Sequence, residues 1–186
     1  MAREDLIGQL SEIAKRRGHS LYETVNEIFD VAIMSDNLGL TLRRLVEERE
    51  VSELARKTGL ILAMESLWYE MADSAYQLKR RQTMKSWFEA GEWFGKRYST
   101  GGLADPLEAF KRDLTFFTWN APELSIARTN NEVLVRVASP RFTESYTYLF
   151  ESFLEGALAA LGYKVTSTDM KQGIIRLTAA KEVSPP

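Results

Sequence analysis

The chain has 186 residues, and its 24 lysines and arginines against 26 aspartates and glutamates give a formal net charge of −2. This length suffices for one sizeable domain or for a domain with a smaller appendage. The absence of cysteine and the single histidine exclude disulfides, thiolate catalysis and multi-histidine metal sites. No signal peptide or membrane-spanning run is visible, so we expect a protein of the cytoplasm.

The pattern of residues 1–62 predicts a helical module. A first helix carries one apolar face, ends at Gly18, and is built on Leu6, Leu10, Ile13 and Ala14. Ser20 with Glu23 three residues later predicts a capping box and a second helix to about Met34. A polar third helix is predicted over residues 41–57. The apolar run from Leu60 to Ala63 is predicted to be a strand or buried coil.

Residues 10–28, from Leu-Ser-Glu-Ile to Thr-Val-Asn-Glu-Ile, resemble the two helices of CopG-like ribbon-helix-helix DNA-binding proteins. That family reads DNA with a strand before the first helix. Only Met1 to Asp5 precede the helix here, and they are not strand-like, so the helices could serve dimerisation alone. Two basic clusters, at residues 15–17 and 79–81, could contact phosphate groups, or they could be solvated helix ends. The candidate nucleic-acid contacts are Lys15, Arg16, Arg17, Arg80 and Arg81.

From about Glu65 to Tyr98 the pattern predicts helix, interrupted near Arg80. Gly91 and Gly95 lie four residues apart on one face of the second part. Two glycines inside a helix cost about 1 kcal/mol each relative to alanine. Close approach of another backbone or of a ligand would justify that cost. Asp105, followed by proline and by glutamate three residues on, then opens a helix that runs to about residue 117.

The stretch from Glu123 to Ala179 predicts strand, hairpin, strand, long helix, strand, hairpin, strand. The strands are predicted at residues 123–128, 132–138, 163–168 and 174–178, and Asn130-Asn131 suits the first turn. The long helix is predicted over 141–161, with Ser139 as its N-cap and Pro140 as its first residue. We therefore predict an α+β domain over residues 63–180, with the helix packed across a four-stranded antiparallel sheet, and a flexible tail at 181–186.

The second half of the chain resembles the 4-vinyl-reductase-type domain, which is similar in fold to the small subunits of the TRAPP tether and to haem-NO-binding domains. The resemblance rests on three segments. They are residues 91–95 (Gly-Glu-Trp-Phe-Gly), residues 153–165 (which begin Phe-Leu-Glu-Gly-Ala and end Tyr-Lys-Val) and residues 173–177 (Gly-Ile-Ile-Arg-Leu). It implies binding of a small hydrophobic molecule and a dimeric, regulatory role. Together the two resemblances would fit an archaeal regulatory protein. Many relatives carry cysteines near the last hairpin, and residues 168–173 contain none, so thiol or metal chemistry is not implied.

Aromatic residues around the two glycines could line an apolar cavity, and plain core packing is the alternative. The candidate ligand-binding residues are Trp87, Gly91, Phe94, Gly95, Phe116, Trp119, Tyr146 and Phe150.

No nucleophile, base and orienting group can be assigned together, and His19 falls in a predicted turn. We therefore expect a regulatory protein that is not an enzyme and needs no metal or cofactor. We expect it to form a homodimer and to bind a small hydrophobic ligand or a protein partner. A DNA-binding regulator is the alternative.

Overall fold

The structure is a computed structural model, and it describes residues 3–182. It has the predicted α+β architecture, with N-terminal helices followed by a four-stranded antiparallel sheet and a long helix. The chain divides into two compact units, Met1–Leu60 and Ile61–Pro186, called here the N-terminal unit and the C-terminal unit.

The N-terminal unit consists of three helices, α1 (Glu4–Arg17), α2 (Leu21–Asn37) and α3 (Leu42–Lys57). Gly18 ends α1 in the left-handed conformation, with φ of 73°. The predicted capping box is confirmed: the Ser20 hydroxyl accepts from the Glu23 backbone N–H at 3.2 Å, and the Glu23 carboxylate accepts from the Ser20 N–H at 2.7 Å. Met1 and Ala2, part of the segment where the ribbon-helix-helix family has its strand, lie outside the described residues.

The prediction for residues 60–63 is wrong. This segment has no regular secondary structure and is exposed, with 83% of the Ile61 surface and 82% of the Leu62 surface accessible. Apolar residues favour burial, but this segment connects two compact units, and connecting segments usually run over the surface.

Helix α4 (Glu65–Thr100) opens the C-terminal unit and is bent at Lys79, whose φ of −146° and ψ of 54° are not helical. The interruption predicted near Arg80 is therefore confirmed. The Thr83 hydroxyl donates at 3.0 Å to the carbonyls of both Ala75 and Lys79. The rings of Trp68 and Trp87 lie 5.9 Å apart, whereas nineteen residues of straight helix would span about 28 Å. The two halves of α4 therefore fold back on each other.

Helix α5 (Pro106–Phe117) follows, with Asp105 as its predicted N-cap. The sheet contains β1 (Glu123–Thr129), β2 (Glu132–Ala138), β3 (Tyr163–Lys171) and β4 (Ile174–Lys181) in the order β1-β2-β4-β3. Helix α6 (Glu144–Ala160) packs on one face of it and against α4. The inward-facing residues of the two central strands are fully buried there, and they are Val133, Val135, Val137, Ile175, Leu177 and Ala179.

The predicted start of α6 is wrong by three residues. Thr143 is its N-cap and accepts from the Tyr146 N–H at 3.2 Å. Ser139 instead closes a loop, because its hydroxyl donates to the Asn120 carbonyl and its N–H donates to the Gly173 carbonyl at 2.8 Å. The flexible tail was predicted to begin at residue 181, but Lys181 is the last residue of β4. Residues 183–186 of that tail lie outside the described residues.

Candidate functional site

The predicted glycine pair lies where α4 meets the backbone of α6. A Cβ on Gly91 would stand 1.9 Å from the Phe153 carbonyl oxygen, and one on Gly95 would stand 2.6 Å from that of Ala157. Gly156 on α6 has the reciprocal position, since its Cβ would stand 2.0 Å from the Phe88 carbonyl oxygen. All of these distances are shorter than any ordinary contact. The glycines therefore allow two helix backbones to approach more closely than side chains permit.

The predicted aromatic residues, together with Phe117 and Phe153, form a continuous series of ring contacts in the C-terminal unit. Centroid distances between successive rings run from 5.5 to 6.4 Å, the range in which aromatic pairs attract one another. We call this series the aromatic network, and in order its members are Trp87, Tyr146, Phe150, Phe153, Phe94, Phe117, Phe116 and Trp119.

The network is buried in the middle and open at its ends. Phe94, Tyr146 and Phe150 are buried, whereas 66% of the Trp119 surface is accessible. At the opposite end Trp87 is half-buried against the ring of Trp68, which is 37% accessible. The structure thus brings the predicted aromatic residues together, largely as packed core, and leaves tryptophans at the surface on both sides.

A polar cluster missed by the sequence analysis adjoins the Trp68 end. The Tyr69 hydroxyl donates to Glu65 at 2.8 Å and accepts from the Asn120 side-chain amide at 2.9 Å. Arg141 completes the cluster with an ion pair to Glu65 at 2.9 Å. Burial, followed by the bond to Glu65, raises the pKa of Tyr69 well above its usual value. The phenol therefore stays neutral and acts as a hydrogen-bonding group beside the rings.

A second buried tyrosine has a carboxylate partner. The Tyr98 hydroxyl donates to Asp113 at 2.9 Å, and the Arg112 side chain donates to the other oxygen of the same carboxylate at 3.0 Å. Burial, then the Asp113 charge, raises the pKa of Tyr98 far above the ordinary range. One guanidinium nitrogen of nearby Arg97 is buried and has no hydrogen-bond partner among residues 3–182. The hydrogen bond between Tyr98 and Asp113 thus joins the C-terminal end of α4 to α5.

Glu151 is a buried acid on α6 that the sequence analysis also missed. Burial, and then the like charge of Glu155 one turn on, raises the pKa of Glu151 to about 7. A carboxylate directly after Phe150 in an apolar helix is a weak sequence signal, but its burial depends on how α6 packs, which the helix pattern alone does not show. Glu155 itself is half-buried.

The predicted basic contacts are exposed but mostly have partners. In the N-terminal unit, Lys15 pairs with Glu12 at 3.2 Å and Arg17 pairs with Glu27 at 3.6 Å. In the C-terminal unit, the Arg80 guanidinium lies 5.0 Å from the Tyr76 ring and 5.4 Å from the Tyr148 ring. Arg16 and Arg81 are exposed, with no ion pair to any described residue. Nothing in either unit arranges these cations as a single patch.

Within residues 3–182, no group of three or more histidine or acidic side chains is arranged to hold a metal ion. None of the helices in that range is both long enough and apolar enough to cross a membrane.

Comparison with protein-family models and with curated proteins finds no match. Among solved structures, one from work on heme distortion in the H-NOX family is 14% identical, with 74% of this chain and 86% of that chain covered and a TM-score of 0.38. The NMR structure of an H-NOX domain from Shewanella oneidensis in the Fe(II)CO state is 15% identical, with 98% and 77% covered and a TM-score of 0.29. TM-scores this low carry neither fold nor function over to this chain. The two resemblances noted from the sequence therefore stay predictions.

Proposed function

We propose that this protein is a non-enzymatic regulatory protein that acts as a homodimer. The N-terminal unit would hold the two copies together. The C-terminal unit would bind a hydrophobic ligand or a protein partner. The observation that carries the proposal is the exposed apolar surface of α2.

Helix α2 is apolar on opposite sides, and both sides are exposed. Tyr22, Phe29 and Ile33 share one face, since their spacings of seven and four residues bring them into line. The opposite side carries two further exposed apolar residues, Val31 and Met34, and Leu38 follows directly after the helix. Charged residues separate these faces, but apolar surface of this extent is normally covered by a partner.

The rest of the N-terminal unit cannot supply that burial. Among residues 3–60 the only buried apolar side chains are Ala14 and Val51. A 60-residue domain that folds alone buries about 60% of the surface of its unfolded chain, and is marginal even then. Two copies that pack their α2 helices together would bury these faces symmetrically, as most homodimers do. A second copy is therefore the occupant that we favour.

The association is tested by light scattering during gel filtration of the full chain at about 50 μM. We expect a dimer, and Phe29→Glu should give a monomer because a charge would be buried in the interface. Leu103→Glu, a matched change at an exposed apolar residue of the C-terminal unit, should stay dimeric. All four tryptophans lie in the C-terminal unit, so an unchanged tryptophan emission spectrum shows that Phe29→Glu leaves that unit folded. A wild-type monomer, or a dimeric Phe29→Glu variant, would contradict the proposal.

The ligand-binding role is supported by the open end of the aromatic network. Trp68 and Trp87 offer half-buried rings beside the hydroxyl and amide groups of Tyr69 and Asn120. Apolar walls with a few fixed polar groups are typical of small-molecule sites. Native mass spectrometry of the purified protein should show an adduct mass that is absent from the denatured protein. Trp68→Ala should lose the adduct, whereas Trp93→Ala, at an exposed ring outside the network, should keep it.

DNA binding has weaker support. The observation in its favour is the exposed run Lys15-Arg16-Arg17, which two-fold symmetry would duplicate. Phosphate contacts would make affinity fall steeply with salt concentration. Fluorescence anisotropy with a labelled duplex at about 50 mM salt tests this candidate. An absence of binding at that salt concentration would exclude it.

A further inference from the structure

The face of the sheet opposite α6 carries two arginines directly across from each other. In the register of β2 and β4, Arg136 is paired with Arg176. Side chains in such a pair project from the same face, with Cβ atoms about 5 Å apart. Both arginines are exposed. Like charges placed directly opposite destabilise a sheet, so this pairing weakens the fold unless an anion lies between the two guanidinium groups.

The two arginines differ in their ion pairs within the chain. Arg176 pairs with its cross-strand neighbour Asp169 at 3.2 Å, and both side chains are well exposed. An ion pair of this kind contributes about 0–1 kcal/mol, so solvent or another anion replaces it easily. Arg136 has no ion pair with any described residue. On its other side it is paired with Ser125 of β1, whose hydroxyl is a potential donor.

A groove follows this row of residues. Its volume is about 860 Å³, within the range of small-molecule sites, and both arginines and Ser125 line it. Ala138 and Ile174, which are paired on the same face, add apolar surface, and Glu123 lies in the same lining. This site is separate from the aromatic network, which packs on the other side of the sheet around α6.

We propose that this groove binds a small molecule through an oxyanion group, a phosphate or a carboxylate, which lies between Arg136 and Arg176. Guanidinium groups bind both kinds of oxyanion with two parallel hydrogen bonds, and two of them together suit a dianion. The rest of the molecule would lie on the apolar surface at Ala138 and Ile174. Glu123, at the edge, would disfavour ligands with a second anionic group on that side.

The site makes an unusual prediction for the free protein. Removal of one charge of the pair relieves repulsion, so Arg136→Gln should raise the melting temperature at low ionic strength in the absence of ligand. Lys164→Gln is the matched control, because Lys164 is an exposed cation on the same sheet face, outside the groove lining. It should leave the melting temperature unchanged. A lower melting temperature for Arg136→Gln would mean that the arginine supports the fold, and would overturn the proposal.

Binding is tested by calorimetric titration of the full chain with inorganic pyrophosphate and, separately, with citrate at matched ionic strength. These two probes distinguish phosphate from carboxylate as the source of the oxyanion. We expect at least one to bind, with affinity that falls about tenfold or more in Arg136→Gln and in Arg176→Gln, the loss typical of a charge-assisted hydrogen bond. Lys164→Gln should bind like wild type.

Three results of these binding measurements would also overturn the proposal. The first is an absence of binding of either probe. The second is an equal loss in the Lys164→Gln variant, which would indicate general screening of surface charge. The third is binding of a single-stranded oligonucleotide alone, with affinity reduced in all three variants, which would assign the face to nucleic acid instead.

Discussion

A single methyl group between α4 and α6 should destabilise the C-terminal unit. In Gly91→Ala the added Cβ would stand 1.9 Å from the Phe153 carbonyl oxygen. Real Cβ atoms do not approach other atoms closer than 3.0 Å, so the two backbones must separate by about 1 Å or the helices must tilt. The obstacle is a backbone atom of a buried helix, which cannot rotate away as a side chain would.

Two opposing effects set the magnitude. Alanine is a better helix former than glycine by about 1 kcal/mol, which favours the variant. Overpacking in a core costs about 1–3 kcal/mol, and more where the backbone must shift along an extended contact. The α4–α6 contact is the largest in this unit, so its separation loosens Phe94, Phe153 and Leu154 together. We expect a net loss of about 2 kcal/mol, or a melting temperature lower by about 8 °C for a unit of this size.

Urea unfolding monitored by tryptophan emission measures this loss. Gly8→Ala in α1 is the matched control, because an added Cβ there meets no atom within 4 Å, and it should leave that transition unchanged. Gly156→Ala should cost about as much as Gly91→Ala, since both force the same separation. The double variant should therefore cost less than the sum of the two. A Gly91→Ala protein as stable as wild type would refute the argument from close backbone approach.

The remaining predictions concern buried charge and the two units. Because the pKa of Glu151 is raised from 4.5 to about 7, the native state keeps a proton that the unfolded chain releases. Stability should therefore fall as pH rises through that interval, by at most about 3 kcal/mol and by less to the extent that solvent screens the charge. Glu151→Gln should remove this slope in urea midpoints measured from pH 4.5 to 7.5, and an unchanged slope would contradict the assignment. Asp113→Ala should cost about 1–3 kcal/mol because the buried Tyr98 hydroxyl loses its acceptor. Asp113→Asn, which keeps an acceptor, should cost less in the same urea assay. Finally, thermal unfolding followed by helical circular dichroism should include a transition that depends on protein concentration, while tryptophan emission should report one that does not. Coincident transitions would contradict separate burial in the two units.

Local sequence patterns predicted the helices and strands of this fold well, but they did not predict which elements contact one another. In the strand predicted at 132–138, Val133, Val135 and Val137 alternate in the pattern typical of one buried face, and the Ser20 capping box predicted the start of α2. Both signals are complete within a few residues. Ser139 carried the same N-cap signal as Thr143, but its hydroxyl bonds to Asn120. Which of two competing caps is used depends on a loop nineteen residues away, and no local pattern contains that information.

The same limit applies to the candidate sites. Arg136 alternates with the valines of its strand, which places it on the opposite face, but no local pattern shows that Arg176 lies across from it, because the pairing of β2 with β4 crosses a whole helix. The glycines at 91 and 95 were correctly interpreted as needing a close neighbour. The neighbour is the backbone of α6, and only the packed structure identifies it. Tyr69 and Asn120 are 51 residues apart and gave no signal at all.

The uneven distribution of burial connects the fold to the proposed function. Nearly all of the core lies in the C-terminal unit, where α6 is covered by the sheet on one side and by α4 on the other. That unit has what it needs to fold by itself. Helices α2 and α3 have side-chain N-caps, but among residues 3–60 only Ala14 and Val51 are buried apolar side chains. Capping contributes about 1 kcal/mol per helix end, far less than the conformational entropy lost by ordering three helices. The missing free energy has to come from apolar surface buried against something else, and a second copy is always present at the concentration of the protein itself.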